Sequence, residues 1–312
     1  MKGLELSRKY YLTVGKEMLE NEFPDMQERI AVGLAGEGSE CFGFDDEISR
    51  DHDFEAAFCL WLNDADYEKF GFRLEKAYNK LPKRFEGYTK APLSAVGGSR
   101  HGVMRTSDFY RRFLGSDTPP KDYEHWLALP SFSLACATNG QVFRDDLGEF
   151  SEIRSSLLRG YPEDVRLKKL AAHAIFIAQS GLYNYPRLIK RGENGAAQLS
   201  VFEFVKHTVS FIYLLNNAYE PFYKWVYRKM RELPILPSLE NSLVSLTELG
   251  NGRTEADAKA ESIEEICVLL TDALKAQALT ESESNDIEKQ AYSLQNSIKD
   301  NALRNMHIMD GV

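Results

Sequence analysis

The chain has 312 residues, 43% of them hydrophobic and 27% charged, and a formal net charge of −9. That length predicts about two domains, and that composition an ordinary soluble globular protein. No apolar run approaches the roughly 18 residues that a membrane span needs. Met1-Lys2-Gly3-Leu4-Glu5 also lacks the apolar core of a signal peptide, so the expected setting is cytoplasmic and away from membranes. Cys41, Cys59, Cys136 and Cys267 are scattered, with no C-x-x-C pair, which fits free thiols in a reducing cytoplasm better than a disulfide frame or a zinc site.

In chain order, Leu4, Leu6, Tyr10, Tyr11, Val14, Met18 and Leu19 recur at helical spacing and predict a helix over 4–22, stopped by Pro24. Ile30–Ala35 reads as a strand, residues 36–39 as a glycine-rich turn, and Asp53–Leu62 as a second strand. A helix over Asp64–Asn79 follows, with Ala65, Phe70, Phe72, Leu74 and Tyr78 on its apolar side. Leu93–Val96 and Val103–Thr106 are two further strand candidates, split by Gly97-Gly98-Ser99. Asp108–Gly115 is a short helix closed by its glycine, and Tyr123–Leu129 another. Ser133–Thr138 and Gln141–Phe143 predict a hairpin around Asn139-Gly140, a favoured two-residue turn.

Beyond Ser151 everything reads as helix: Arg154–Leu158, Val165–Gln179, Ala196–Asn217, Phe222–Arg231, Leu239–Leu249, Ala256–Leu279 and Ser284–Asn305. Only the last few residues look disordered. The expected fold class is therefore α+β: a small mixed-sheet domain over 1–150, carrying the helix over 4–22, followed by an all-helical bundle over 151–312.

The chemistry concentrates where the glycine-rich turn meets the second strand. Side chains in a strand alternate faces, so Asp51 and Asp53 share one face while His52 points away. Eight acids crowd Glu37–Glu55 against Arg50 alone, a density that calls for a cation or a basic partner. Mg²⁺ prefers hard oxygen ligands and binds through one or two carboxylates together with substrate phosphates, with Mn²⁺ as the substitute. Upstream, Gly36, Gly38 and Ser39 can offer backbone N–H groups and a hydroxyl to an anion. Asp45, Asp46 and Glu47 read as solvated loop charge.

Gly38-Ser39 followed by Asp51-x-Asp53 resembles the Gly-Ser…Asp-x-Asp signature of the nucleotidyltransferase superfamily with the polymerase-β-like fold. The fuller string, Gly36-x-Gly38-Ser39-Glu40 with Asp45-Asp46-Glu47-x-Ser49-Arg50-Asp51-His52-Asp53, is similar to an uncharacterised bacterial branch of it, related to aminoglycoside and lincosamide nucleotidyltransferases. The resemblance implies that Gly38 and Ser39 contact nucleotide phosphates and that Asp51 and Asp53 are catalytic metal ligands. It implies a third carboxylate on a later strand. Gly102-Val-Met-Arg-Thr106 contains no acid, and Asp108 just beyond it is the first candidate, with Asp145 and Asp146 behind.

Charge is unevenly spread: net −8 over residues 1–153, +8 over 154–231 and −9 over 232–312. The acidity argues against general nucleic-acid binding, while an acidic wall for metal beside a basic wall for polyphosphate suits a nucleotide site. Arg187 and Arg191 lie four apart and, on a helix, project to one side able to clamp phosphates. Lys224 lies in a Tyr219-x-Pro221-Phe222-Tyr223-Lys224-Trp225 string of a kind found in the helical domains of that branch. The resemblance implies Lys224 as a further phosphate ligand, with Tyr219 or Trp225 able to stack on a base. Facing Asp51 and Asp53 across one cleft is the expectation for Lys224.

The reading is an Mg²⁺-dependent enzyme moving a nucleoside monophosphate from ATP or another nucleoside triphosphate onto a hydroxyl of a small molecule. The alternative is a nucleotide-binding regulator or toxin-like protein acting on a protein or tRNA, or a catalytically silent one. The acceptor and the oligomeric state have no signature in the sequence.

Overall fold

The N-terminal helix is anchored from outside itself. The Gly3 N–H donates to the Asp45 carboxylate at 2.9 Å, so Asp45, 1% exposed, is a buried partner for a helix terminus and not the solvated loop charge its surroundings suggest. The computed structural model describes residues 1–48, 55–89 and 100–312, and the fold is α+β. Asp51, His52 and Asp53, and the strand expected over Leu93–Val96, lie outside the described residues. The chain divides into two compact units, one of residues 1–120 with 131–159 and one of residues 121–130 with 160–312.

In the first unit, helix α1 (Gly3–Tyr10) continues through a π-helical turn, Tyr11–Gly15, into α2 (Lys16–Glu22). Strand β1 (Ala31–Leu34) follows, then β2 (Cys59–Leu62), a helical stretch from α3 (Asp64–Asp66) to α4 (Phe72–Tyr78), and a small ladder of β3 (Arg84–Phe85) and β4 (Tyr88–Thr89). Next come β5 (Gly102–Arg105) and α5 (Thr106–Leu114), which Gly115 ends in the left-handed region at φ +67°. The main sheet runs β5-β2-β1-β6, where β6 is Gln141–Arg144; β2 and β5 are parallel and the other pairs antiparallel. Alternation divides β2 between two cores. Leu60 and Leu62 join Leu19, Val32, Phe58 and Leu74 on one face. Trp61 turns to the other, stacked on Phe150 at 3.9 Å and edge-on to Phe109.

The hairpin expected at 133–143 is not formed. Ser131–Thr138 is a helix, and β6 pairs with β1 instead. Short apolar runs fit a buried helix as well as a buried strand, and the alanines in Leu134-Ala-Cys-Ala137 favour helix. Thr138 turns its hydroxyl back onto the Leu134 carbonyl at 2.7 Å. Gly140, at φ +66°, then carries the chain past β1; a Cβ there would lie 1.9 Å from the Leu34 carbonyl oxygen, so no other residue fits.

Preceding that helix are α6 (Tyr123–Ala128), in the second unit, and following it α8 (Glu149–Leu158); the helix between, Ser131–Thr138, is α7. Phe150 ties α8 to the first unit: its ring packs on Trp61 and its carbonyl accepts from the Tyr110 hydroxyl at 2.9 Å.

The second unit is built on α9 (Glu163–Ile177), which runs through a π-helical segment, Ala178–Asn184, into α10 (Tyr185–Lys190). Then come α11 (Asn194–Leu215), α12 (Val226–Met230), α13 (Leu239–Glu248), α14 (Arg253–Ala276), α15 (Ile287–Ser297) and α16 (Asn301–Asn305). The single helix expected over 284–305 is two. The Asp300 side chain caps the N-terminus of α16, and the Asp164 carboxylate takes the N–H groups of Lys299 and Asp300 at 3.1 and 2.9 Å, so local side-chain acceptors replace the helix ladder there.

Part of the basic excess of this segment is internal. Arg166 donates to the Leu214 and Leu215 carbonyls at 2.7 and 3.0 Å, closing the C-terminus of α11. Buried Lys168 donates to Gln295 and to the His307 carbonyl, and Lys169 to the carbonyls of Leu127 and Gly311. The same bonds hold down the C-terminal residues that read as disordered. Between α9 and α11, His173 and His207 meet at 3.0 Å through their Nδ1 atoms; burial and the partner ring hold His173 well below the usual histidine range. Among the described residues, no helix is long and apolar enough to cross a membrane.

Candidate functional site

The glycine-rich turn is built by hydrogen bonds within the turn itself and by a clamp from a distant segment of the chain. Cys41 N–H donates to the Gly38 carbonyl, and Phe42 and Phe44 N–H groups to that of Ser39. The clamp is Asn139: Gly36 N–H donates to its Oδ1 at 2.9 Å, and its Nδ2 donates back to the Gly36 carbonyl at 2.6 Å. Asn139 is therefore not a hairpin residue but the support of the turn, and Gly140 adds a bond to the Cys41 carbonyl at 2.8 Å.

The turn borders a cavity of about 240 Å³. Gly36, Gly38 and Glu40 line one side, Arg100 and His101 another, and Val103, Met104 and the α5 residues Asp108, Phe109, Arg112 and Phe113 the rest. Ser39 is half-buried beside it. At its base, His101 Nδ1 lies 3.3 Å from Glu55 and its Nε2 3.8 Å from Glu40. Burial alone would lower this imidazole, but the hydrogen bonds and charges of the two glutamates raise it to about 9, so it is a cation at neutral pH. In return His101 outweighs the burial of Glu40 and holds its carboxyl below the usual range. Burial raises the Cys41 thiol well above its ordinary value, which removes it as a thiolate nucleophile.

Every described carboxylate lining this cavity has a cationic partner. Glu40 has His101, Glu37 has Arg112, and Asp108 has Arg105 at 3.8 Å and Arg111 at 3.6 Å. Asp108, the candidate third carboxylate, stands in the first turn of α5 with its side chain 59% exposed. Asp145 accepts from the N–H groups of Gly148 and Ser151 and so has a structural task, and Asp146 pairs with Arg144. Among the described residues, no group of three His, Cys, Asp or Glu is placed to hold a metal ion. Asp51 and Asp53, the expected metal ligands, lie outside the described residues.

Gly38 is needed for a reason the sequence does not disclose. A Cβ there would meet the Glu40 carboxylate at 2.0–2.4 Å. We expect Gly38→Ala to push Glu40 off His101 and to lower stability by about 1–3 kcal/mol, and Gly38→Val to cost more. Ser39→Ala, losing one hydroxyl, should cost little stability and, if the turn holds nucleotide phosphates, about 1 kcal/mol in affinity for them. Thermal melts and calorimetric titration separate the two; equal small effects from Gly38→Val and Ser39→Ala would contradict this arrangement.

In the helical unit, Arg187 on α10 and Arg191 just past its end line one groove of about 450 Å³ with Ser180, Asn184, Leu188, Leu199, Ser200 and Glu203. Lys224 is exposed, its ammonium 4.4 Å from the Trp225 ring centroid. Trp225 is 8% exposed, and Tyr219 stands edge-on to Tyr161 at 5.1 Å, so both rings serve packing. The pairing of Lys224 with Asp51 and Asp53 falls on residues outside those described. His101 and Arg112 escaped the sequence reading, which had Glu40 only as part of the motif string and Asn139 as a turn residue. The one signal for His101 was its place directly before the β5 strand.

Residues 126–226 match a family described as a domain of unknown function (DUF4037). No curated protein matches the chain. A crystal structure of a nucleotidyltransferase-like protein from Exiguobacterium sibiricum 255-15 is similar over 93% of this chain and 89% of that one, at 11% identity and a TM-score of 0.36. A likeness of that size is a broad one, and function has to be argued from this chain's own residues.

Proposed function

We propose that the protein is a divalent-metal-dependent nucleotidyltransferase, passing a nucleoside monophosphate from ATP or another nucleoside triphosphate to a hydroxyl of a small acceptor. The observation that carries this reading is the Asn139-clamped turn at Gly36–Ser39, opening on a cavity in the same unit whose chain supplies Asp51-x-Asp53. Gly38 and Ser39 would border the triphosphate. Asp51 and Asp53 would hold Mg²⁺, which when bound supplies charge neutralisation for the phosphates.

In the transfer, the acceptor oxygen bonds to the α-phosphorus, the bond from that phosphorus to the bridging oxygen breaks, and pyrophosphate leaves with the electron pair. The hydroxyl proton goes to a base, for which Asp108 is the candidate at the cavity rim. A nucleotide-binding module without turnover is the second reading, and the pairing of Asp108 with Arg105 and Arg111 favours it. The test is a screen of nucleoside triphosphates and hydroxyl acceptors with Mg²⁺, read by pyrophosphate release and by the mass of the acceptor. Nucleotide binding without pyrophosphate for any acceptor would favour the second reading; neither binding nor release would remove both.

A further inference from the structure

We infer that the groove of Arg187 and Arg191 is a binding site in its own right, within the helical unit, for the phosphate group of a small molecule. It stands apart from the proposed reaction and does not depend on it.

The first argument is charge. Acids outnumber bases in this chain, and Arg105, Arg111, Arg112, Arg144 and Arg231 each pair with a carboxylate. Arg187 and Arg191 have no carboxylate within ion-pair distance among the described residues, although Glu203 lines the same groove. Glu203 is turned to Lys206 and His207, at 3.8 and 3.4 Å. The Arg187 guanidinium lies 5.6 Å from the Tyr183 ring centroid, which restricts its swing without using its N–H donors.

Helix capping does not account for the pair. The last carbonyls of α10 are already satisfied by the backbone: Arg191 N–H donates to Arg187, Gly192 N–H to Ile189 and Glu193 N–H to Leu188. The guanidinium donors are left to the groove. Its opposite wall is held in shape from behind. Ser200 donates to the Ser180 carbonyl at 2.7 Å, and Gly181 has no room for a side chain, a Cβ there meeting Phe204 at 2.4 Å. The π-helical turn that presents Ser180 and Asn184 is a feature found often at functional sites.

Two forked, permanently charged donors side by side match the oxygens of a phosphate better than a single carboxylate. Leu188 and exposed Leu199 leave an apolar flank for whatever carries it. The phosphate could belong to a phosphorylated small molecule or to the tail of a nucleotide, and the experiment separates these sources.

The full chain is titrated calorimetrically with inorganic phosphate, glucose 6-phosphate and a nucleoside triphosphate, with glucose as the uncharged control. Glucose 6-phosphate or the triphosphate should bind, and Arg187→Gln with Arg191→Gln should weaken it at least tenfold, with circular dichroism and melting unchanged because both side chains are exposed. Sugar phosphate binding that survives Asp53→Asn assigns the groove to a separate phosphorylated molecule. Triphosphate binding weakened by the glutamine pair, without sugar phosphate binding, assigns it to the nucleotide. A glutamine pair that binds every probe as the wild type does, or a wild type that binds none, overturns the site. Loss of turnover with groove binding intact would instead count against the proposed reaction alone.

Discussion

Asp53→Asn, and separately Asp51→Asn, should abolish Mg²⁺-dependent pyrophosphate release while the chain stays folded. The loss should be about 100-fold or more, since removing even a group that only supports a metal ligand costs 10–100-fold. The carboxylates flanking this pair have other duties. Glu40 and Glu55 hold His101, Glu37 holds Arg112, and Asp45 holds the first N–H of α1. Asp51 and Asp53 are the proposed ligands, and these four carboxylates are already engaged elsewhere. Without metal, neighbouring acids repel, so the asparagine variants should melt at the same temperature as the wild type or slightly above it. Turnover near the wild-type rate in either variant would remove that residue as a ligand. A clear drop in apo melting temperature would reassign it to structural hydrogen bonding.

His101→Leu should destabilise the first unit by about 3–5 kcal/mol, because it leaves Glu40 and Glu55 buried with their shared cation gone. The three side chains are 11–13% exposed, so water replaces little of what is lost. The pH dependence follows from the direction of the shift. The folded-state value, about 9, lies above the ordinary 6.5, so this contribution is fully present below pH 6.5 and is lost as pH rises through 9. Its full size is about 3 kcal/mol. Urea melts of the wild type between pH 6.5 and 9 should show this decline, and those of His101→Leu should lack it. Adding Glu40→Leu and Glu55→Leu to His101→Leu should recover part of the stability. A single variant as stable as the wild type, with an unchanged pH profile, would show that the cluster contributes nothing.

The sequence alone determined what depends on local pattern. The 3.6-residue recurrence from Leu4 to Leu19 and from Phe70 to Tyr78 gave helices, and the apolar run through Val32 gave a strand. Gly115 gave a helix end, because a left-handed residue is a local requirement. These features made the α+β class legible, as did the helical run beyond residue 160. Residue type and spacing also sufficed to put Arg187 and Arg191 on one side of the chain, and they line one groove.

Only the tertiary structure decided the rest, since it turns on partners far apart in sequence. Residues 133–138 have a composition that serves helix or strand, and packing in the first unit chose helix, which made Asn139 a clamp on Gly36 instead of a turn. Asp45 looks like its acidic neighbours in the sequence, and it is buried because Gly3 needs an acceptor. Likewise Arg166, Lys168 and Lys169 count as surface charge until the carbonyls they satisfy, 42 to 142 residues away, are brought to them by folding. His101 became a cation for the same reason. No local property of a lone histidine sets its charge; two glutamates, 46 and 61 residues earlier in the chain, do.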